Sequence, residues 1–339
     1  MKRTVLLIMI SVLMSAVFAI EANASVTTSK VWTESDFTYP EGAAEGWVPE
    51  GWQISGRSGN EPTRNEAIAY VHKDGYVVLC KNTHSGTSAG AVIQKIITGL
   101  PDDFTVMYDI YFVNEESIAG ANVIADVALN GYSQMLYGSG RISVKDDSGS
   151  TTTISTGTPE IGCWYTYMFR VRGDRMSVYR KKEGDSVFTK IIDNKQMVVR
   201  ETNEIWITAT TSDTAMVYVD NIKVMSGTYM SEATVSVSET EIKGTMCIET
   251  ESVEPTLADG EQKLAIMPVI TAFDRKGKIL DVEFGNDSIV FNKNNVETVM
   301  NISTDVYENL KGGTVELYVC NPENIMKPLT SAYVFSVNQ

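Results

Sequence analysis

The chain is poor in the residues on which most enzyme motifs depend. Of its 339 residues only two are histidine, His72 and His84, and only four are cysteine. Neither histidine stands in H-E-x-x-H or another zinc-binding spacing, and no C-x-x-C pair occurs. Walker and G-x-G-x-x-G loops are also missing, and with them the usual cradles for nucleotide phosphates. Lysine and arginine total 28 against 43 aspartate and glutamate, a formal net charge of -15. That balance repels phosphate and argues against nucleic acid as a partner. Amphipathic helical spacing is lacking as well, so an α-helical core is not expected.

Two further patterns are near misses. Gly86-Thr87-Ser88-Ala89-Gly90 has the letters of a nucleophile elbow, which works by thrusting serine out of a strand-to-helix turn. Here strand-like AVIQKII follows, so a loop is expected instead. The E-x-D-x-x-E run that places an acid and a nucleophile on one strand of laminarinase-type hydrolases is missing.

The one long apolar run, Val5 to Ala19, follows Lys2 and Arg3 and precedes the small-residue site Ala22-Asn23-Ala24. That is the pattern of a secretory signal peptide over residues 1–24, and it predicts an exported protein with no membrane insertion in its mature form. Export would permit disulfides among Cys80, Cys163, Cys247 and Cys320, and buried thiols remain the alternative.

What is present is β-structure. Short alternating segments recur between turn signals, as in Phe104–Val113, where Phe104, Val106, Tyr108, Ile110 and Phe112 share a face. Asp74-Gly75 is expected to turn one hairpin and Gly173-Asp174 another. The second organises the chain. Tyr165, Tyr167, Phe169 and Val171 point one way, and Trp164, Thr166, Met168, Arg170 and Arg172 the other. An antiparallel sandwich or jelly roll follows.

The segment Gly162-Cys163-Trp164-Tyr165, together with Val217-Tyr218-Val219-Asp220-Asn221-Ile222-Lys223-Val224, resembles the concanavalin A-like, laminin-G-like jelly rolls of secreted bacterial proteins. The resemblance implies a domain over residues 25–228. Residues 226–241 read as a polar joint, and residues 229–339 as a smaller immunoglobulin-like β-sandwich. Ile270–Val282 and Val315–Leu329 resemble an accessory β-domain of secreted polysaccharide-degrading proteins of anaerobic Gram-positive bacteria. That family usually has tryptophan where Cys320 stands.

Carrying the alternation across strands puts Asp109, Tyr111, Asp126, Trp164, Arg170, Arg172, Tyr179 and Trp206 on the non-core side. Aromatic rings stack on sugar C–H faces, carboxylates bond hydroxyls, and arginine grips a uronate. The expectation is therefore a non-catalytic carbohydrate-binding or cell-surface accessory protein whose partner is extracellular or cell-wall polysaccharide. It requires Trp164 and Trp206 to share one open face. Two alternatives stay open: a polysaccharide lyase or hydrolase using Asp109, Asp126 and Tyr111, and an adhesive module that binds protein. Trp47 and Trp52 either plug the sandwich end or line a sugar site. By position in the jelly roll, Asp220 with Asp36 or Glu34 could hold a structural calcium ion.

Overall fold

The computed structural model describes residues 30–44, 46–57, 67–81, 90–97, 99–113, 122–123, 134–137, 141–145, 150–196, 204–210 and 215–338. The chain divides into two compact units, Val31–Met225 with Leu257–Asp259, and one built on Ser226–Thr256 and Gly260–Gln339. Both are β-sandwiches.

The strands of the first unit are β1 (Lys30–Ser35), β2 (Gln53–Arg57), β3 (Ala67–His72), β4 (Tyr76–Lys81), β5 (Gly90–Ile96), β6 (Asp103–Phe112), β7 (Asn122–Val123) and β8 (Gln134–Tyr137). They continue with β9 (Arg141–Lys145), β10 (Thr151–Ser155), β11 (Trp164–Arg172), β12 (Arg175–Lys182), β13 (Thr189–Gln196), β14 (Glu204–Thr210) and β15 (Ala215–Ser226). An eight-stranded sheet runs β13-β12-β11-β6-β15-β4-β3, with β1 also paired to β15. Beside it are a three-stranded sheet, β14-β5-β2, and a four-stranded one, β10-β9-β8-β7.

The hairpin of β11 and β12 closes as its residues demand. Arg172 pairs with Arg175 across a two-residue turn, and Gly173 takes φ +56°, a conformation that costs a side-chain-bearing residue free energy. Alternation then sorts the large sheet into two faces. Tyr165, Tyr167, Phe169 and Val171 join Phe104, Val106, Tyr108, Ile110 and Phe112 in one buried core with Ala91 and Ile93 of β5. Tyr108 is wholly buried, its ring 6.2 Å from Tyr167 and 6.0 Å from Phe169. Burial, helped by the neighbouring Tyr167, pushes its phenol well above the usual value. Each such ring contributes about 1.5–3 kcal/mol through the water it sheds.

Trp52 packs edge-on against Phe37 at 5.5 Å and is 6% exposed, and Trp47 packs on Tyr39 at 5.6 Å. Both are packing residues. The cysteines are all free thiols, with Cys80, Cys247 and Cys320 buried.

In the second unit, β16 (Thr228–Val237), β17 (Glu241–Thr250) and β21 (Asn292–Asn301) form one sheet in that order. The other comprises β18 (Leu264–Phe273), β19 (Ile279–Phe284), β20 (Asp287–Ile289), β22 (Thr314–Asn321), β23 (Asn324–Pro328) and β24 (Tyr333–Ser336). Two expectations are corrected here. The stretch expected as a polar joint is largely β16, an edge strand whose alternating exposure past a slip at Met230 leaves Glu232, Thr234 and Ser236 exposed and packs Ala233, Val235 and Val237 on the core. A helix also occurs, α1 (Thr304–Leu310). Ser303 caps it by accepting from the Val306 N–H at 3.3 Å. The two sheets approach closely at Gly244, where an added Cβ would lie 2.7 Å from Leu317 Cδ2.

Candidate functional site

The face of the eight-stranded sheet opposite the core carries an open cleft of ≈ 500 Å³. Its floor comes from three neighbouring strands. On β11, Trp164 and Thr166 stand two residues apart, and pairing sets them opposite Tyr111 and Asp109 of β6. On β15, Asp220 stands opposite Asp109. Tyr76 enters from the start of β4. The rims are Asp74 in the β3–β4 turn and Lys181, Glu183 and Asp185 at the end of β12 and its turn.

A bulge completes the floor. Between Asp220 and Lys223 the pairing with β6 slips, and Asn221 takes φ +50°, a conformation asparagine tolerates better than most residues. Asn221 Nδ2 donates to Asp109 Oδ2 at 2.8 Å, and Thr166 Oγ1 donates to Asp109 Oδ1 at 2.6 Å. Both oxygens of Asp109 are thereby held. The backbone N–H of Asn221 donates to Asp220 Oδ1 at 2.7 Å. Burial pushes the Asp220 carboxyl up to about 7, the Asn221 N–H opposes the shift, and Asp109 and Asp36 add to it.

Behind the cleft lies an aromatic cluster. Tyr111 and Tyr218 stack at 5.5 Å with their planes 11° apart, and His72 stacks on Tyr76 at 4.7 Å. Trp164 is 5.4 Å from Tyr111 at 57° and 6.3 Å from Tyr76 at 71°. Only Tyr76 and Trp164 among these rings line the cleft. Tyr111 and Tyr218 spend their faces on each other; Tyr111 braces the tryptophan, and Tyr218 lies 4.7 Å from Tyr76.

Several expected site residues fall elsewhere. Trp206 lies on β14, in the three-stranded sheet, so it does not share a face with Trp164. The two-tryptophan trough therefore does not exist, and the sugar-binding expectation as built on it falls; a carbohydrate reading has to rest on Trp164 with other neighbours. Tyr179 is 0% exposed and Arg170 is 8% exposed, so neither is open to ligand. Arg172 Nη1 donates to the carbonyls of Val171 at 2.6 Å and Phe104 at 3.2 Å, and spends that nitrogen on the sheet's own backbone. Asp126, His84 and the serine of the elbow-like segment lie outside the described residues. Period-two alternation assigned the faces of β11 and β6 but carried no information on which strands share a sheet. Tyr76, Asn221, Glu183 and Asp185 were missed, although the Asp74-Gly75 turn marked the position of Tyr76.

Calcium fares less well. Among the described residues no group of three or more His, Cys, Asp or Glu side chains is placed to hold a metal ion. Asp36 Oδ1 accepts from the Thr38 N–H at 3.1 Å, which holds its carboxyl below the usual value, and Glu34 Oε1 lies 3.2 Å from Lys223 Nζ. With these groups engaged by their own chain, Asp36 and Asp220 do not make up the six to eight oxygen ligands calcium takes.

No protein-family profile matches the chain, and no curated protein matches it. Among solved structures it is similar to a glycosyl hydrolase family protein from Mycobacterium fortuitum, at 16% identity over 57% of this chain and 99% of that one, TM-score 0.39. It is also similar to the Ca2+/Man-bound exoplasmic/lumenal domain of VIP36, at 13% identity over 52% and 82%, TM-score 0.35. Lectin II from Ulex europaeus gives 10% identity over 58% and 99%, TM-score 0.37. A likeness at this level assigns neither ligand nor activity.

Proposed function

We propose that the protein binds extracellular polysaccharide and that the cleft beside Trp164 is where it does so. One observation carries this reading. Two half-buried rings, Trp164 and Tyr76, flank the hydrogen-bonded set of Asp109, Thr166 and Asn221 in one open cleft. Sugars present apolar C–H faces and a fringe of hydroxyls, and this pairing of plates with fixed acceptors and donors matches both. Trp164→Ala should abolish retention in gels loaded with the bound polysaccharide while the melting temperature stays within a few degrees. Retention that survives the substitution rejects the site.

The opposition of Asp109 and Asp220 supports a second reading, glycosidic bond cleavage. A carboxyl that still carries its proton near neutrality beside one held in acceptor geometry is the arrangement of an acid and its counterpart. Release of reducing ends from a polysaccharide panel, lost in Asp220→Asn, decides for it. Binding without release decides for the first.

A further inference from the structure

The cleft is acidic on every side. Asp109 and Asp220 stand on its floor, Asp74 on one rim, and Glu183 and Asp185 on the other. Among the described residues Lys181 is the only basic one in the lining, with its Nζ 5.0 Å over the Phe188 ring. The sequence Arg180-Lys181-Lys182 carries three cations in a row, but strand alternation removes two from the cleft. Arg180 Nη1 donates to the Gly157 carbonyl at 2.7 Å, and Lys182 Nζ reaches Glu160 Oε2 at 2.7 Å. The arginines expected to grip uronates are likewise absent from the lining.

Asp74, Asp109, Glu183 and Asp185 set carboxylates around a recess with low-dielectric walls and concentrate a negative potential inside it, to which Asp220, raised to about 7, adds its charge only above that pH. Aromatic ring faces add to the attraction for cations. A uronate or a sulfated sugar entering between Trp164 and Tyr76 would meet like charge from both rims. From this geometry we infer that the cleft selects a glycan bearing free, protonated amino groups, such as an unacetylated hexosamine polymer, and rejects polyanionic glycans. The inference rests on the carbohydrate reading above and sharpens it to a ligand class.

The test is a calorimetric titration of the full chain at pH 6 with three oligosaccharides of equal length: glucosamine, N-acetylglucosamine and galacturonic acid. The glucosamine oligomer should bind about tenfold more tightly than its acetylated counterpart, which lacks the charge and carries a neutral acetamide in its place, so the variant and the salt series below isolate the charge. The galacturonate should not bind. The double variant Glu183→Gln/Asp185→Asn alters only exposed turn residues and should narrow the ratio without changing the melting temperature. Raised salt should narrow it too. Equal binding of the amino and acetylated oligomers, or binding of galacturonate, overturns the inference and leaves the carbohydrate reading in place. If no oligomer binds, or if oligolysine binds as tightly as oligoglucosamine, both fall.

Discussion

Asp109 and Asp220 face each other across adjacent antiparallel strands, and a single residue, Asn221, ties them together through its side chain and its backbone N–H. The charge of Asp109 adds to the burial that raises the Asp220 carboxyl.

The first prediction concerns pH. Asp220 binds its proton more tightly folded, at about 7, than at its ordinary 3.8. The native state therefore holds more protons than the unfolded state across that window. Stability should fall as pH rises from about 4 to 7 and level off above it. Asp220→Asn should flatten that slope and be relatively more stable at pH 8 than at pH 5. Urea denaturation at intervals across this range measures it, and an unaltered slope in the variant would refute the assignment.

Tyr179 and Arg170 should behave as structural residues. Tyr179 is fully buried, with Lys190 Nζ 5.6 Å over its ring. Tyr179→Ala should cost about 3–5 kcal/mol, the range for deleting a large buried ring. Trp164→Ala removes a half-buried ring and should cost clearly less while eliminating sugar retention. Parallel thermal melts and gel retention separate the two roles.

In the second unit, Gly313 should not tolerate alanine. A Cβ there would collide with the backbone carbonyl oxygen of Phe273 and meet Leu310 O at 3.0 Å, and neither is a flexible side chain that can move aside. Gly313→Ala should destabilise by about 1–3 kcal/mol, as overpacking generally does. A loss below 0.5 kcal/mol, by the same measure of surface-like tolerance, would show that the loop relaxes.

The thiols give a fourth expectation. Burial raises the Cys80 thiol and takes Cys320 to about 11, which leaves little reactive thiolate near neutrality. Cys163 alone is half-exposed, its Sγ 3.8 Å from the Ile161 carbonyl oxygen. Iodoacetamide at pH 8 should alkylate Cys163 first in the native protein and the other three only after unfolding. Peptide mass mapping reports the order.

Much of the fold was legible because one rule, alternation, governs so much of it. The split of Tyr165-Tyr167-Phe169-Val171 from Trp164-Thr166 could be read directly, as could the turns at Gly75 and Gly173. The site was legible only within single strands. Asp109, Tyr111 and Trp164 were placed on a common face, but Trp206 went to the wrong sheet because nothing local encodes which strands are neighbours. Burial on the non-core face was equally hidden, so Tyr179 and Arg170 passed for ligand contacts. Helix α1 escaped because seven residues span too few turns to display a period.

The slip at Asn221 changes the parity of β15. Val217 and Val219 face the core before it, and Ile222 and Val224 after it. One extra residue thus adds an amide to the cleft while every apolar position keeps its place. Deleting it would realign the two halves of the strand without disturbing the core and would release Asp109 from one of its two restraints. The amide is thus an insertion written into a scaffold that does not depend on it, which makes this edge of the cleft a place where polar groups can be exchanged at little structural cost.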